Sequence, residues 1–114
     1  MMRRSMGLAF ALAMSWVTAV QAQTAWPAKP VKILVGYAPG GSTDVTARII
    51  AQALSERLGQ PVLIENRAGA GGNIAAEAAA KADPDGYTLL MATSSTFATN
   101  PALYKSLPFD VQAD

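Results

Sequence analysis

The chain has 114 residues, with 9 Lys+Arg, 8 Asp+Glu, no His and no Cys. That length allows one domain at most, and the net charge of +1 gives no basic excess of the kind that marks a nucleic-acid binder. Without Cys there is no disulfide framework, thiolate zinc site or cysteine nucleophile, and without His the commonest general base and transition-metal ligand are missing. No cofactor or metal is expected. Apolar residues reach 51%, but 23 of them are Ala, so large core formers are fewer than that figure suggests.

The first segment reads as an address label. Arg3 and Arg4 precede an uncharged apolar run, Met6 to Val20, and Val20-Gln21-Ala22 supplies small residues at a cleavage site. These are the three parts of a secretory signal peptide over residues 1–22. A retained membrane anchor is the alternative. At 1.5 Å per residue, a run of about 15 residues is too short for a bilayer core of about 30 Å. The exported chain then begins at Gln23 and carries 7 positive and 8 negative charges.

Val31 to Tyr37, bounded by Pro30 and Pro39, is apolar and β-branched and predicts a buried strand. The loop Ala38-Pro39-Gly40-Gly41-Ser42-Thr43 follows, and then a helix is predicted over 43–58. Val45, Ile49 and Ala53, with Ile50, Leu54 and Leu58, are expected to form its apolar face. Ser42, Thr43 and Asp44 are candidate N-caps and Gly59 is a candidate terminator. The unit repeats. Pro61 to Asn66 predicts a strand and Ala68 to Gly72 a Gly-rich loop, and Asn73 is expected to cap a helix to Ala82 with Glu77 and Lys81 paired at i,i+4. Asp83-Pro84-Asp85-Gly86 turns the chain into a third strand, Tyr87 to Ala92. A polar loop, Thr93 to Thr96, and a short helix near 101–106 complete the series.

This alternation implies an α/β fold, a parallel βαβαβ unit whose right-handed crossovers put all three loops at the carboxyl edge of the sheet. If the strand order is 2-1-3, the first and third loops flank a switch point, where such sheets bind ligands. Five of the nine Gly lie in the first two loops, and each loop feeds a helix N-terminus. Free amides and the helix dipole there favour an anion. Ser42, Thr43, Asn73, Ser94, Ser95 and Thr96 add neutral donors. The ligand implied is an anion held by dipoles. Arg48 and Arg67 are expected to be surface or supporting charges. Asp44 is expected to organise the first loop, since direct contact with an anion would be repulsive. Tyr37 and Phe97 either wall a pocket or pack in the core.

Other motifs fail on spacing. Gly69 to Ile74 lacks the sixth-position Gly or Ala of a dinucleotide fingerprint, and no P-loop occurs. Gly40 to Asp44 nearly matches a nucleophile elbow, but Asp44 replaces the closing Gly. Asp83 to Gly86 starts like a calcium loop without the later ligands.

Four blocks together resemble one family. They are Trp26-Pro27-x-Lys29-Pro30-Val31 with Tyr37 to Asp44 and Ala47-Arg48; Glu65-Asn66-Arg67-x-Gly69-Ala70-Gly71-Gly72-Asn73-Ile74; Pro84 to Leu90; and Asn100-Pro101-x-Leu103-Tyr104. The chain is similar to the Bug family of periplasmic receptors of tripartite tricarboxylate transporters. The resemblance implies a periplasmic-binding-protein-like (type II) lobe, here an incomplete two-lobe "Venus flytrap" of which residues 23–114 are the N-terminal part of the first lobe. It implies a receptor that captures a small carboxylate, such as a di- or tricarboxylate, and presents it to membrane permease subunits. The contacts it implies are Tyr37, Ala38, Gly40, Gly41, Ser42, Thr43 and Asp44, with Asn73, Ser94, Ser95 and Thr96 as weaker ones. Tyr37 stands where many members have Phe. The family is considerably longer than this chain, so the second lobe is expected to be absent. A monomer that binds no nucleic acid is expected. A secreted enzyme using the lobe as an anion-binding half-site is the rival reading, and a structural or adhesion domain a second one.

Overall fold

A computed structural model of the chain describes residues 24–114; the predicted leader lies outside the described residues. Strand β1 (Val31–Val35) leads to helix α1 (Ser42–Leu58), strand β2 (Val62–Asn66), a tight turn at Ala70–Gly72, helix α2 (Asn73–Ala80) and strand β3 (Thr88–Met91). A π-helical turn (Ser95–Thr99) then runs into helix α3 (Asn100–Leu103). The sheet has the order β2-β1-β3 and both pairings are parallel, with Ile33 beside Ile64 on one side and Leu89 on the other.

The chain steps from β1 out to β2 and then back across β1 to β3. Right-handed crossovers in opposite directions put α1 and α2 on opposite faces of the sheet. The central strand is therefore covered twice, which is why β1 is apolar at four of five positions. Val31, Ile33 and Val35 join Ala47, Ala51 and Val62 in one core cluster, while Leu34 is buried on the other face.

The seating of α1 differs from expectation. Asp44, Ala47 and Ala51 are its buried residues, with Leu54 and Leu58 packed at the margin of the core. Val45 and Ile49 face outward, Ile49 at 65% exposure, and Ile50 is also exposed. Alanines let the helix lie close to the sheet, and the rotation is fixed at its N-terminus, where Asp44 reaches the first loop. The N-cap is Gly41, with no capping side chain, so Ser42, Thr43 and Asp44 are the first three helical residues. Gly59 ends the helix in the left-handed conformation (φ 68°), as expected.

Other boundaries move as well: the third strand is Thr88–Met91 and the last helix Asn100–Leu103, not 101–106. Gly36 and Tyr37 leave the first strand. Asn73 does not cap α2; Gly72 precedes it in a left-handed conformation, and the helix stops at Ala80. The polar segment Ser94-Ser95-Thr96 is not a loop but the start of the helical turn, because Thr93 acts as its cap. Thr93 Oγ1 accepts the Thr96 amide at 3.4 Å and the Thr93 carbonyl accepts the Phe97 amide at 3.3 Å. The Glu77–Lys81 pair forms as expected.

At the amino ends of the strands, the Trp26 ring lies 6.0 Å from that of Tyr87, and Lys29 Nζ sits 4.5 Å from the Tyr87 centroid. The Ala28 amide donates to the Tyr87 hydroxyl at 2.8 Å. Gly86 passes beneath Trp26, where a Cβ would meet the indole nitrogen at 3.3 Å.

Among the described residues both outer strands are unpaired on one side, and Leu63 and Leu89 are exposed. A 92-residue chain buries only about 60–65% of its unfolded surface. Residues 23–114 produced alone are therefore expected to melt broadly and at low temperature. A sharp transition above about 65 °C in circular dichroism would contradict this.

Candidate functional site

Parallel pairing brings the segments after β1, β2 and β3 to one edge of the sheet. All the predicted site residues lie there, but they divide in two. Ala38, Gly40, Gly41, Ser42, Ser94 and Ser95 are exposed and Thr43 is half-buried, whereas Asp44, Asn73 and Thr96 are buried.

Asp44 is the organiser of the first loop. It is 2% exposed, and both carboxylate oxygens are engaged. Oδ2 accepts the Gly40 amide and Arg48 Nε, each at 2.9 Å, and Oδ1 accepts Asn66 Nδ2 at 2.8 Å. The Arg48 hydrogen bond first, then those from Gly40 and Asn66, hold the carboxyl well below its ordinary range and outweigh desolvation. The Gly40 amide is thus turned inward. The amides of Ser42, Thr43 and Asp44 precede the first intrahelical bond, Val45 N–H to the Gly41 carbonyl at 2.9 Å, and have no acceptor within the helix.

Asn66, at the end of β2, carries the same function across the sheet. Its Nδ2 also donates to the Tyr37 carbonyl at 3.0 Å, and its Oδ1 accepts from Arg48 at 3.3 Å. Arg48 is therefore committed to the scaffold. Arg67 is committed to Glu65, with Nε to Oε1 at 2.5 Å. Lys32 holds the other Glu65 oxygen at 2.7 Å, and these two bonds, Lys32 first, push the Glu65 carboxyl down. Neither arginine is an unpaired cation at this edge.

The second loop is locked between the other two. Tyr37 packs against the core and its hydroxyl reaches the Gly71 carbonyl at 3.3 Å and Thr93 Oγ1 at 2.9 Å. Thr96 Oγ1 donates to the same carbonyl at 3.3 Å, and Asn100 Nδ2 does so at 2.9 Å. Asn100 also donates to Asn73 Oδ1 at 2.7 Å, which explains why Asn73 is not a cap. Backbone approach is close as well. A Cβ on Gly36 would lie 2.7 Å from Gly72 Cα, and one on Gly72 would lie 2.5 Å from Thr96 Oγ1. Phe97 is outside this network and packs edge-on against Phe109, with centroids 6.4 Å apart.

Sequence reasoning did not assign Gly36, Asn66, Thr93 or Asn100. Asn66 carried a usable signal: a polar amide ending an otherwise apolar strand at the loop edge. Thr93-x-x-Thr96 carried another, a capping pattern inside a run of hydroxyls. The arrangement has free amides and exposed hydroxyls at its rim, and Arg48 and Arg67 are each held by a carboxylate. Among the described residues no cluster of three acidic side chains could hold a metal. A cavity lined by Pro101, Tyr104, Phe109 and Val111 shares no residue with this edge.

Comparison with known proteins places the chain. Residues 46–114 match the profile of the tripartite tricarboxylate transporter family receptor. The chain is 45% identical over 104 residues to protein BugT of Bordetella pertussis, covering 90% of this chain and 32% of BugT. Among solved structures, a Rhodopseudomonas palustris protein with adipate superposes with a TM-score of 0.76 at 44% identity, over 78% of this chain and 30% of that one. MatC from the same organism, with bound malate, gives 0.71 at 41% identity, over 75% and 29%. The chain thus spans about a third of the length of these relatives. Its sheet also superposes on the periplasmic binding protein BugD with a TM-score of 0.69 at 39% identity, so it is a partial periplasmic-binding-protein fold. With more than half of its residues inside the family profile, the chain belongs to the tripartite tricarboxylate transporter receptor family.

Proposed function

We propose that the chain is part of a periplasmic receptor that captures a small carboxylate and hands it to membrane permease subunits. The observation that carries this reading is the rim of donors at one sheet edge. The free amides of Ser42 and Thr43 lie at the start of a 17-residue helix, and the exposed hydroxyls of Ser94 and Ser95 open the helical segment after β3. Such a rim attracts one carboxylate through dipoles. Adipate and malate in the two related structures support the same ligand class. A second lobe, closing over the anion, would supply the opposing contacts and the signal to a permease. The receptor acts as a monomer and needs no cofactor.

The rival reading, a secreted enzyme, needs a nucleophile or base. That reading takes a His, Cys or carboxylate pair from the second lobe, since Asp44 is spent on the loop. Turnover of a bound acid would favour the enzyme. A purely structural domain is separated by Gly41. Its φ of −75° is ordinary, and a Cβ would meet only the Ala38 carbonyl at 3.7 Å. Gly41→Val should therefore leave the fold intact while its side chain crowds the rim. We expect at least about a tenfold loss of affinity for malate or adipate, or about 1.4 kcal/mol, in calorimetry on protein purified from the periplasm. Full affinity in that variant, or no binding of any di- or tricarboxylate by the parent, would refute the reading.

A further inference from the structure

We propose that Asn100 is a positioning residue for the binding edge, clamping the Gly71 carbonyl and so joining the second loop to the helical segment after β3. The functional half of this inference rests on the carboxylate-binding reading above; the mechanical half does not.

The Gly71 carbonyl is contacted by three donors from two other segments: Tyr37, Thr96 and Asn100. Their standing is unequal. Tyr37, Thr93 and Thr96 form a ring with this carbonyl in which three hydroxyl protons serve four contacts: Tyr37 to Gly71, Tyr37 to Thr93, Thr93 to Thr96 and Thr96 to Gly71. One contact always lacks a proton. Asn100 has no such competition. Its amide nitrogen has two protons and two acceptors, Gly71 O at 2.9 Å and Asn73 Oδ1 at 2.7 Å, so its orientation is fixed. Asn100 is 4% exposed, and it opens α3.

The carbonyl needs this restraint for two reasons. Gly71 has φ 63° and belongs to a turn in which Gly69 and Gly72 also have positive φ, a conformation glycine leaves readily. A bare carbonyl at this edge would also present partial negative charge to an incoming anion. With Asn100 in place, the turn is held and its one contested oxygen is covered before any ligand arrives. Preorganisation of that kind raises affinity by removing an ordering cost.

The test uses protein purified from the periplasm, with Asn100→Ala and the isosteric Asn100→Asp. Amide hydrogen exchange is read at Gly71, Gly72 and Asn73 against Ile33 and Val35, and affinity is read with malate and adipate. Asn100→Ala should speed exchange at the turn by about tenfold or more and leave the strand amides within about twofold. Both variants should lose about tenfold or more in affinity, Asn100→Asp the more, because it sets a carboxylate against two oxygens. If Asn100→Ala does not fold, Thr96→Val removes a second donor from the same carbonyl and should give a smaller change in the same direction. Unchanged exchange at the turn overturns the proposal whether or not a ligand binds. Faster exchange with affinity unchanged within about twofold overturns the positioning role. Faster exchange in Asn100→Ala, with a parent that binds neither acid, supports the clamp and refutes the receptor reading alone.

Discussion

Gly72→Ala is expected to cost about 3 kcal/mol or more of stability and to remove carboxylate binding. Gly72 has φ 92°, which an L-residue adopts at about 1–2 kcal/mol. Its new Cβ would also stand 2.5 Å from Thr96 Oγ1 and 3.5 Å from the Tyr37 hydroxyl. Overpacking of that kind costs about 1–3 kcal/mol more. Thr96 cannot swing aside freely, because its hydroxyl is tied to Gly71 and Thr93. Gly40→Ala is the matched control: its φ is 90°, and nothing lies within 4 Å of its Cβ position. It should show the conformational cost alone. Equal destabilisation of the two variants in denaturant titrations would refute the crowding argument.

Asp44→Asn is expected to disorder the first loop and abolish binding. Three donors converge on the carboxylate, from Gly40, Arg48 and Asn66. An amide in that place turns its own NH2 on at least one of them and leaves Arg48 without its counter-charge. The loss should depend on pH. The folded carboxyl is held well below its ordinary value of 3.8, by Arg48 foremost, so its contribution is complete above about pH 4 and declines as pH falls toward the folded value. Glu65, lowered by Lys32 and Arg67, adds acid sensitivity of the same sign in parent and variant alike. The melting-temperature gap between parent and Asp44→Asn should therefore narrow below about pH 4. A gap that is constant between neutral pH and pH 3 would refute the assignment.

Much of this fold is legible in the residues. Each strand is a short apolar run closed by turn residues, and each long helix follows a Gly-rich loop, so the βαβαβ alternation and its common loop edge follow from pattern. The organising role of Asp44 follows from charge: an acid in the first turn of a helix behind glycines has amides within reach. What pattern does not reveal is the rotation of α1. Periodicity weighs bulky residues, and Val45 and Ile49 outweigh the alanines by that measure. The sheet instead takes the small face, because Asp44 sets the angle and alanine permits the approach. The clamp on the second loop is hidden for a different reason. Asn100 and Gly71 are 29 residues apart, and only the 2-1-3 strand order brings them together.

The tethering of Trp26 has a spectroscopic consequence. The chain has two tryptophans, Trp16 in the predicted leader and Trp26, so residues 24–114 hold a single indole. That indole is seated over Gly86 and beside Tyr87, at the end of the strands opposite the amide rim. Its emission is a native gauge of whether the amino-terminal ribbon is docked. It is insensitive by position to whether a guest occupies the far side.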